Sequence, residues 1–184
     1  MRSTVCPLLL LVASQGEQQQ VSQIEIDMQR RMSEPEIIRA IRLQVRNRDE
    51  HSVFQYFRKL KDTLLINIPA PQKGIWGVGE NEQRKLQQAY WNNLYKAYSI
   101  VIDAFAQDGQ PNVAVDWFRR MQCARVNPTT SIFNSVIEAF VRRGDIMQAS
   151  AWFGYLEKER KILPDAQTYT LMLEVYSREG DVEG

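Results

Sequence analysis

Residues 132–165 decide the fold, and they read IFNSVIEAFVRRGDIMQASAWFGYLEKERKILPD. The first half has the i, i+3, i+4, i+7 spacing of one apolar helix face, at Phe133, Val136, Ile137 and Phe140. Gly144 comes four residues later, and glycine suits a helix end from which the chain turns sharply. The second half has a similar apolar face, at Ala149, Trp152, Phe153 and Leu156. Because Pro164 cannot continue a helix, the stretch predicts a pair of helices followed by a connector.

The same pair of helices recurs along the chain at a constant spacing. Further first-helix faces lie at Tyr98, Val101, Ile102 and Phe105, and at Tyr169, Met172, Leu173 and Tyr176. These faces are followed, again after four residues, by Gly109 and Gly180. A further second-helix face precedes Pro128, at Ala114, Trp117, Phe118 and Met121. Equivalent residues are 35 or 36 positions apart, so we interpret these segments as copies of one repeat.

This repeat resembles the pentatricopeptide repeat, in which Tyr or Phe opens the first helix, Gly-Asp follows it and Pro precedes the next repeat. Residues 132–165 are similar to that motif at almost every position, and 168–184, TYTLMLEVYSREGDVEG, are similar to its first half. The tetratricopeptide repeat, at about 34 residues, fits less well because its small first-helix residues are missing. The resemblance implies an all-α fold, an α-solenoid of stacked helix-turn-helix repeats wound into a right-handed superhelix.

A weaker copy is predicted upstream of these repeats. Its second-helix face lies at Val53, Tyr56, Phe57 and Leu60, and its first-helix face at Ile37, Ala40 and Ile41. Ser33 and Glu36 form a capping box at its start, whereas Gln44 interrupts the face and Arg48 replaces the expected glycine. The predicted units are a degenerate repeat at 34–68, an insertion at 69–94, repeats at 95–129 and 130–165, and the first helix of a truncated repeat at 166–184. The insertion is predicted to begin as a loop and to end as an extra helix or a prolonged first helix, with Leu86, Tyr90 and Leu94 at helical spacing.

The two ends of the sequence carry separate expectations. Residues 1–30 are interpreted as a leader and linker, with one basic residue, an apolar centre from Val5 to Ala13 and a Gln-rich tract, or as an arbitrary start of a longer product. The sequence ends before the third copy gains a second helix, so we expect Tyr169, Met172 and Tyr176 to be partly uncovered. We therefore interpret the chain as a fragment of a longer solenoid, or one that a partner covers.

Composition excludes several classes of protein. The 184 residues are 44% hydrophobic and carry 23 Lys+Arg against 22 Asp+Glu, so the chain is neither disordered in character nor polybasic overall. The apolar stretch from Val5 to Ala13 is far shorter than the ~20 residues of a membrane-spanning helix. Cys6, Cys123 and the single histidine, His51, form neither a disulfide framework nor a zinc-binding pattern. Any contact with nucleic acid must therefore be local.

The resemblance implies which residues face RNA. In such repeats a residue in the first turn of the first helix and the last residue of the unit read one base. Carried over to this sequence, the first-turn positions are Ser99, Asn134 and Thr170, and the last positions are Thr129 and Asp165. Asn134 with Asp165 is similar to the combination that prefers uridine, whereas Ser99 with Thr129 fits no such combination. The residues flanking each base would be Lys96, Ser131 and Gln167, which are not the usual aliphatic residues. Outside this register, Asn134 would be interpreted as a polar residue facing solvent.

Basic residues could contact RNA phosphates at two places. Residues 30–61 contain nine Lys+Arg against four Asp+Glu, including Arg39, Arg42 and Arg46 on one helix face. Arg142 and Arg143 close the helix before Gly144. The alternatives are a solvated helix face and, for the second pair, favourable interaction with a helix C-terminus.

No catalytic site is indicated. Gly74, Gly77 and Gly79 lack the preceding strand and the following Lys-Ser/Thr of a phosphate-binding loop, and His51 is predicted to be a surface or interface residue. Asp103, Glu138 and Glu174 recur once per repeat, which favours a shared structural or RNA-facing role. We therefore expect no enzyme activity, no cofactor, no metal and no small-molecule substrate.

The resemblance implies a sequence-specific binder of single-stranded RNA, acting in a mitochondrion or plastid on the processing, stability, translation or editing of transcripts. Near-neutral charge and the non-aliphatic flanking residues favour the alternative, an interaction scaffold for proteins such as a structural subunit of an organellar ribosome. The partners expected are single-stranded organellar RNA in the first case and protein in the second.

Overall fold

The computed structural model describes residues 32–66, 80–158 and 162–180. These ranges hold seven α-helices and no strand: α1 (Glu34–Arg46), α2 (Glu50–Leu65), α3 (Glu80–Gln107), α4 (Pro111–Cys123), α5 (Thr130–Arg143), α6 (Ile146–Lys158) and α7 (Ala166–Gly180). All seven belong to one compact unit, Glu34–Gly184. The all-α class is confirmed. The leader predicted at 1–30 and the loop of the insertion, with Gly74, Gly77 and Gly79, lie outside the described residues.

The helices stack as hairpins, α1 with α2, α3 with α4, and α5 with α6. Successive first helices, α1, α3, α5 and α7, contact one another side by side, and each second helix also contacts the next first helix. The backbones of successive second helices lie farther apart, and aromatic rings span the space between them. Ring centroids are 4.8 Å apart for Phe57 and Trp117 and 5.0 Å apart for Phe118 and Trp152. This arrangement is a solenoid of helical hairpins in which the first helices form one layer and the second helices the other.

Burial follows the repeated apolar faces in the first two copies. Tyr98, Ile102, Phe133 and Ile137 are all less than one-tenth exposed, and the weaker copy buries Ile37, Ile41, Val53 and Leu60 completely. The third copy differs, with Tyr169 53%, Leu173 69% and Tyr176 56% exposed. The expectation that Met172 is partly uncovered is wrong, because it is only 3% exposed. Among the described helices α7 packs on α5 and α6 alone, so only its side with Met172 and Val175 is covered.

Helix α3 is the longest of the seven described helices, and it joins the insertion to the repeat. It runs without interruption from Glu80 to Gln107, which resolves the two alternatives for the insertion in favour of a prolonged first helix. Asn93, in the prolonged part, donates from Nδ2 to the carbonyl oxygen of Leu64 at 2.8 Å and so ties α3 to the end of α2. Ser99 consequently lies in the middle of a helix, and its expected place in a first turn is wrong. No proline or glycine stands between Glu80 and Ser99 to start a new helix there.

The turn after each first helix has one conformation in all three hairpins. Gly109 and Gly144 have φ angles of 69° and 78°, in the left-handed region, and Arg48 in the weaker copy has φ 57°. In each turn the N–H of this residue donates to the carbonyl oxygen three residues earlier, and the N–H of the next residue donates to the carbonyl oxygen five residues earlier. In the third turn these bonds run from Gly144 to Val141 (3.0 Å) and from Asp145 to Phe140 (2.9 Å). These two bonds satisfy the last carbonyls of the helix. The missing glycine therefore did not change the turn of the weaker copy.

Arg48→Gly is expected to raise the free energy of unfolding by about 1 kcal/mol, because glycine adopts a positive φ without the steric cost that a side chain incurs. Gly144→Ala is the matched opposite. A Cβ at Gly144 meets nothing within 4 Å, so that substitution tests only the cost of a positive φ for a residue with a side chain. We expect it to lower the free energy of unfolding by a similar amount. Urea titration followed by circular dichroism measures both changes. Destabilisation by Arg48→Gly would contradict the shared turn geometry.

Candidate functional site

The predicted base-reading residues lie on the layer of first helices. Asn134 is one turn into α5 and Thr170 is one turn into α7, while Ser99 occupies the equivalent register in the middle of α3. Since α3, α5 and α7 contact one another in that order, the three side chains follow one another across neighbouring helices.

None of the helices that the structure describes is long and apolar enough to cross a membrane.

Asn134 and Asp165 meet directly. The Nδ2 of Asn134 donates to Oδ1 of Asp165 at 3.0 Å, although 31 residues separate them in sequence. Asn134 is only 1% exposed, whereas Asp165 is exposed at the start of α7. The interpretation of Asn134 as a solvent-facing residue is therefore wrong, because packing of α7 against α5 encloses its amide.

Asp165 also caps α7. Its Oδ1 accepts from the N–H of Thr168 at 2.9 Å, and its own N–H donates to Oγ1 of Thr168 at 3.1 Å. This reciprocal arrangement satisfies two backbone donors at the helix start. The backbone bond from Thr168, followed by the bond from Asn134, holds the pKa of the Asp165 carboxyl below its ordinary value. The carboxylate is therefore ionised at neutral pH and fixed in place by both neighbours.

Thr168 is the residue of this cluster that the sequence analysis missed. It is fully buried, and its hydroxyl lies 2.7 Å from Oδ1 of Asn134, to which it donates. The equivalent positions of the two preceding repeats hold Ala97 and Ile132, which are also buried. A threonine at a position that is otherwise apolar is the signal that could have revealed it. Thr168 thus fixes the orientation of the Asn134 amide from behind.

The other candidate pair is arranged differently. Ser99 donates to the carbonyl oxygen of Lys96 at 3.0 Å, and Thr129 shares a hydrogen bond of 2.8 Å with the hydroxyl of Tyr95. Thr170 donates to the carbonyl oxygen of Ala166 at 2.8 Å. The hydroxyls of Ser99 and Thr170 are therefore engaged within their own helices, whereas that of Thr129, at the start of α5, bonds to Tyr95 of α3.

The three predicted flanking residues, Lys96, Ser131 and Gln167, are exposed at the same face. Nζ of Lys96 lies 2.5 Å from Oε1 of Glu34, so this cation is paired with a carboxylate of α1. A base next to these side chains would meet polar atoms and alkyl chain rather than a branched aliphatic group.

The predicted phosphate-contacting arginines fall into two groups. Arg39, Arg42 and Arg46 are exposed on α1, and Arg143 is exposed at the end of α5. Arg142 differs because it is ion-paired with Glu138, with Nη2 at 2.6 Å from Oε1. Its Nη1 also donates to the carbonyl oxygen of Gln107 at 3.5 Å, in the last turn of α3. Arg142 therefore joins two successive first helices and offers less free charge than its neighbour.

Asp103, one of the carboxylates that recur once per repeat, joins two helices. Ser135 of α5 donates to Oδ1 of Asp103 in α3 at 2.5 Å. Burial is the main reason that the pKa of Asp103 is raised, and Glu138 raises it further, against the effects of Ser135 and Arg42. These contacts give Asp103 a structural role between repeats.

The described residues hold no cluster of His, Cys, Asp and Glu suited to a metal ion. His51 is exposed, as predicted, and its Nε2 lies 2.7 Å from Nε2 of Gln55. Cys123 is a free, exposed thiol.

Two segments of the chain match known families of repeats. Residues 128–178 match the family described as the PPR repeat family, and residues 96–126 match the PPR repeat, where PPR abbreviates pentatricopeptide repeat. The two matches are adjacent and include Asn134, Asp165 and Thr168. No curated protein matches the sequence.

Proposed function

Because the chain is a pentatricopeptide-repeat protein, and such proteins typically bind RNA, we propose that it binds single-stranded RNA sequence-specifically on the face of α3, α5 and α7. Each repeat takes one base, through Ser99 with Thr129, through Asn134 with Asp165, and through Thr170 in the last copy. The contact between Asn134 and Asp165 is the observation that carries this proposal. It brings a first-turn residue and a last residue together where one base could meet both.

Asn134 supplies the hydrogen bonds that select the base. An amide has two N–H donors and two acceptor lone pairs, and the contacts with Asp165 and Thr168 occupy one of each. One donor and one acceptor are left for the edge of uracil, which itself presents both kinds of group. Since Asn134 is 1% exposed, RNA binding includes a small local opening at the start of α5 and α7. Asp165, exposed and ionised, keeps the amide oriented.

The backbone of the RNA is bound by arginines. Arg39, Arg42, Arg46 and Arg143 are exposed and need no rearrangement to meet a phosphate. Arg142 contributes only if it leaves Glu138, so we assign it the weakest phosphate contact of the five. Lys96, Ser131 and Gln167 flank the bases.

Family membership also guides the cellular role. Proteins with these repeats are commonly organellar and are generally not enzymes. We propose that the chain acts in a mitochondrion or plastid, on transcript processing, stability, translation or editing, without catalysing a reaction. It needs no cofactor for this role.

The test is RNA binding with matched amide variants. Asn134→Ala is expected to lower affinity for uridine-containing oligonucleotides about 5- to 150-fold, because one good base contact contributes about 1–3 kcal/mol. Asn112→Ala, at an exposed asparagine of α4, is the control and should bind normally. Fluorescence anisotropy at high protein concentration suits the weak binding expected of few repeats. Equal affinity for uridine and adenine pools, unchanged by Asn134→Ala, would refute base reading.

Asp165→Asn separates base reading from folding. Asparagine caps helices about as well as aspartate, so the free energy of unfolding should change by less than about 0.5 kcal/mol. The preference for uridine over other bases should shift nonetheless. A loss of RNA binding that only parallels a loss of helix content would assign Asp165 to the fold alone.

A protein scaffold, for example a structural subunit of an organellar ribosome, is the second candidate. It is favoured by the enclosed amide of Asn134 and by the exposed Tyr169, Leu173 and Tyr176 on α7. Under this alternative, a co-purifying protein should stay bound after ribonuclease treatment, and its release would reject the scaffold role.

A further inference from the structure

An open cavity of about 480 Å³ lies between the middle of α3 and the connector from α4 to α5. Trp91 and Tyr95 line it from the helix, and Arg125, Asn127 and Thr129 line it from the connector. This volume is within the range of small-ligand sites, about 300–1,000 Å³. The Trp91 side of the cavity belongs to the prolonged part of α3, before the repeat match that begins at residue 96.

Local structure fixes both walls. Trp91 and Tyr95 are four residues apart on one helix, so their rings lie on the same face one turn apart. The hydroxyl of Tyr95 is held by Oγ1 of Thr129 at 2.8 Å, which links this wall to the last residue of the first repeat. Across the cavity α4 ends at Cys123, and Arg125, whose φ is 59°, turns the chain sharply. The N–H of Arg125 donates to the carbonyl oxygen of Gln122 at 2.8 Å and stabilises this turn.

The lining has the groups that a nucleotide needs. Two aromatic rings can stack on a base, and the exposed guanidinium of Arg125 can pair with a phosphate. The amide of Asn127 and the hydroxyl of Thr129 can reach a base edge or a ribose. Among the described residues that line the cavity, Arg125 is the one charged side chain, and its positive charge favours an anionic ligand. Thr129 belongs both to this cavity and to the proposed base-reading face, which places the cavity beside the RNA.

We propose that this cavity binds one further nucleotide of the same RNA strand, with its base stacked on Trp91 and Tyr95 and its phosphate at Arg125. The site rests on the proposed function and extends it, because the recognised RNA is then one nucleotide longer than the number of repeats. Trp91 lies outside the repeat at 95–129, and because two aromatic rings form one wall this nucleotide is bound chiefly by stacking. Stacking tolerates every base, and we therefore expect little base preference there.

Length-matched oligonucleotides test the site. Adding one nucleotide at the end that reaches the cavity should raise affinity about 5- to 150-fold, the effect of one stacked base. Both ends of the RNA are extended separately to find that end. An abasic residue at the same place should lose most of the gain. In the chain, Trp91→Leu should abolish the gain, and Trp91→Phe should keep most of it.

Arg125→Asn tests the phosphate contact. Asparagine tolerates a positive φ better than most residues and removes the charge. The slope of log affinity against log salt concentration should become less steep by about the contribution of one phosphate contact. The loss of affinity caused by an abasic residue at the added position should stay the same. Photocrosslinking of 4-thiouridine at the added position should label the peptide that contains Trp91.

The outcomes separate this site from the repeat face. If the added nucleotide raised affinity equally in Trp91→Leu and Trp91→Phe, the cavity proposal would be overturned. A loss of uridine affinity in Asn134→Ala would in that case still support base reading by the repeats. Binding of a proline-rich peptide at Trp91, with no effect of the added nucleotide, would identify a peptide groove and also overturn it. Loss of the length effect in Trp91→Leu together with normal uridine preference would support both sites.

Discussion

Phe118→Ala is expected to lower the free energy of unfolding by about 3–5 kcal/mol, the cost of removing a large aromatic side chain from a core. Phe118 lies in α4 and is only 1% exposed. Its ring centroid is 5.1 Å from that of Phe133, 5.0 Å from that of Trp152 and 6.4 Å from that of Tyr155. All three rings belong to the next repeat, so the space left by the removed Phe118 ring lies at the interface between two hairpins. We therefore expect the variant to uncouple the repeats as well as to destabilise them.

Phe153→Ala is the matched control, since Phe153 stands 35 residues further at the equivalent position. It is partly exposed, and it contacts the ring of Tyr169 at 6.1 Å. The loss should be less than half that of Phe118→Ala, because less apolar surface is buried there. Urea unfolding gives the total change, and hydrogen exchange helix by helix shows whether α5–α6 remain folded when α3–α4 open. Equal losses in the two variants would contradict coupling through the aromatic cluster.

The sequence predicts the fold well because a helix that packs on two neighbours must repeat its apolar residues. Phe133 and Ile137 are buried where the period places them, and Gly109 and Gly144 have the positive φ that their position implies. Periodicity does not reveal where a helix starts if no breaker marks the start, which is why the length of α3 needed the structure. Arg48 shows a further limit, because tertiary contacts can impose a left-handed turn on a residue that does not favour it.

The candidate site was less predictable than the fold. The register brings Asn134 into line with Asp165, yet the burial of Asn134 depends on how closely α7 packs on α5. The partner of Arg142 follows from its spacing to Glu138, since residues four apart on a helix are neighbours. By contrast, the bond between Ser135 and Asp103 spans 32 residues, and no local pattern announces it. Contacts across repeats require the distance between helices, which a single sequence does not contain.

Thr168→Val should destabilise the chain by about 1–3 kcal/mol and weaken the uridine preference, although Thr168 is fully buried. Valine keeps the shape of threonine but cannot donate to Oδ1 of Asn134 or accept from the N–H of Asp165. The first loss leaves a buried amide oxygen without this donor. The amide of Asn134 then keeps its bond to Asp165 but loses the second bond that holds it, so the arrangement that presents one donor and one acceptor to a base is less firmly fixed.

Thr63→Val provides the control, because Thr63 lies half-buried on α2, outside the proposed base-reading face, and its hydroxyl donates to the carbonyl oxygen of Lys59 at 2.8 Å. Urea unfolding measures the stability of both variants, and affinities for uridine and adenine oligonucleotides measure their base preference. A positioning role requires that Thr168→Val reduce the ratio of the two affinities, and Thr168→Ser should restore that ratio. A purely structural role would lower both affinities equally and leave the ratio unchanged. The ratio therefore decides whether Thr168 acts on RNA recognition through Asn134 or only holds α7 against α5.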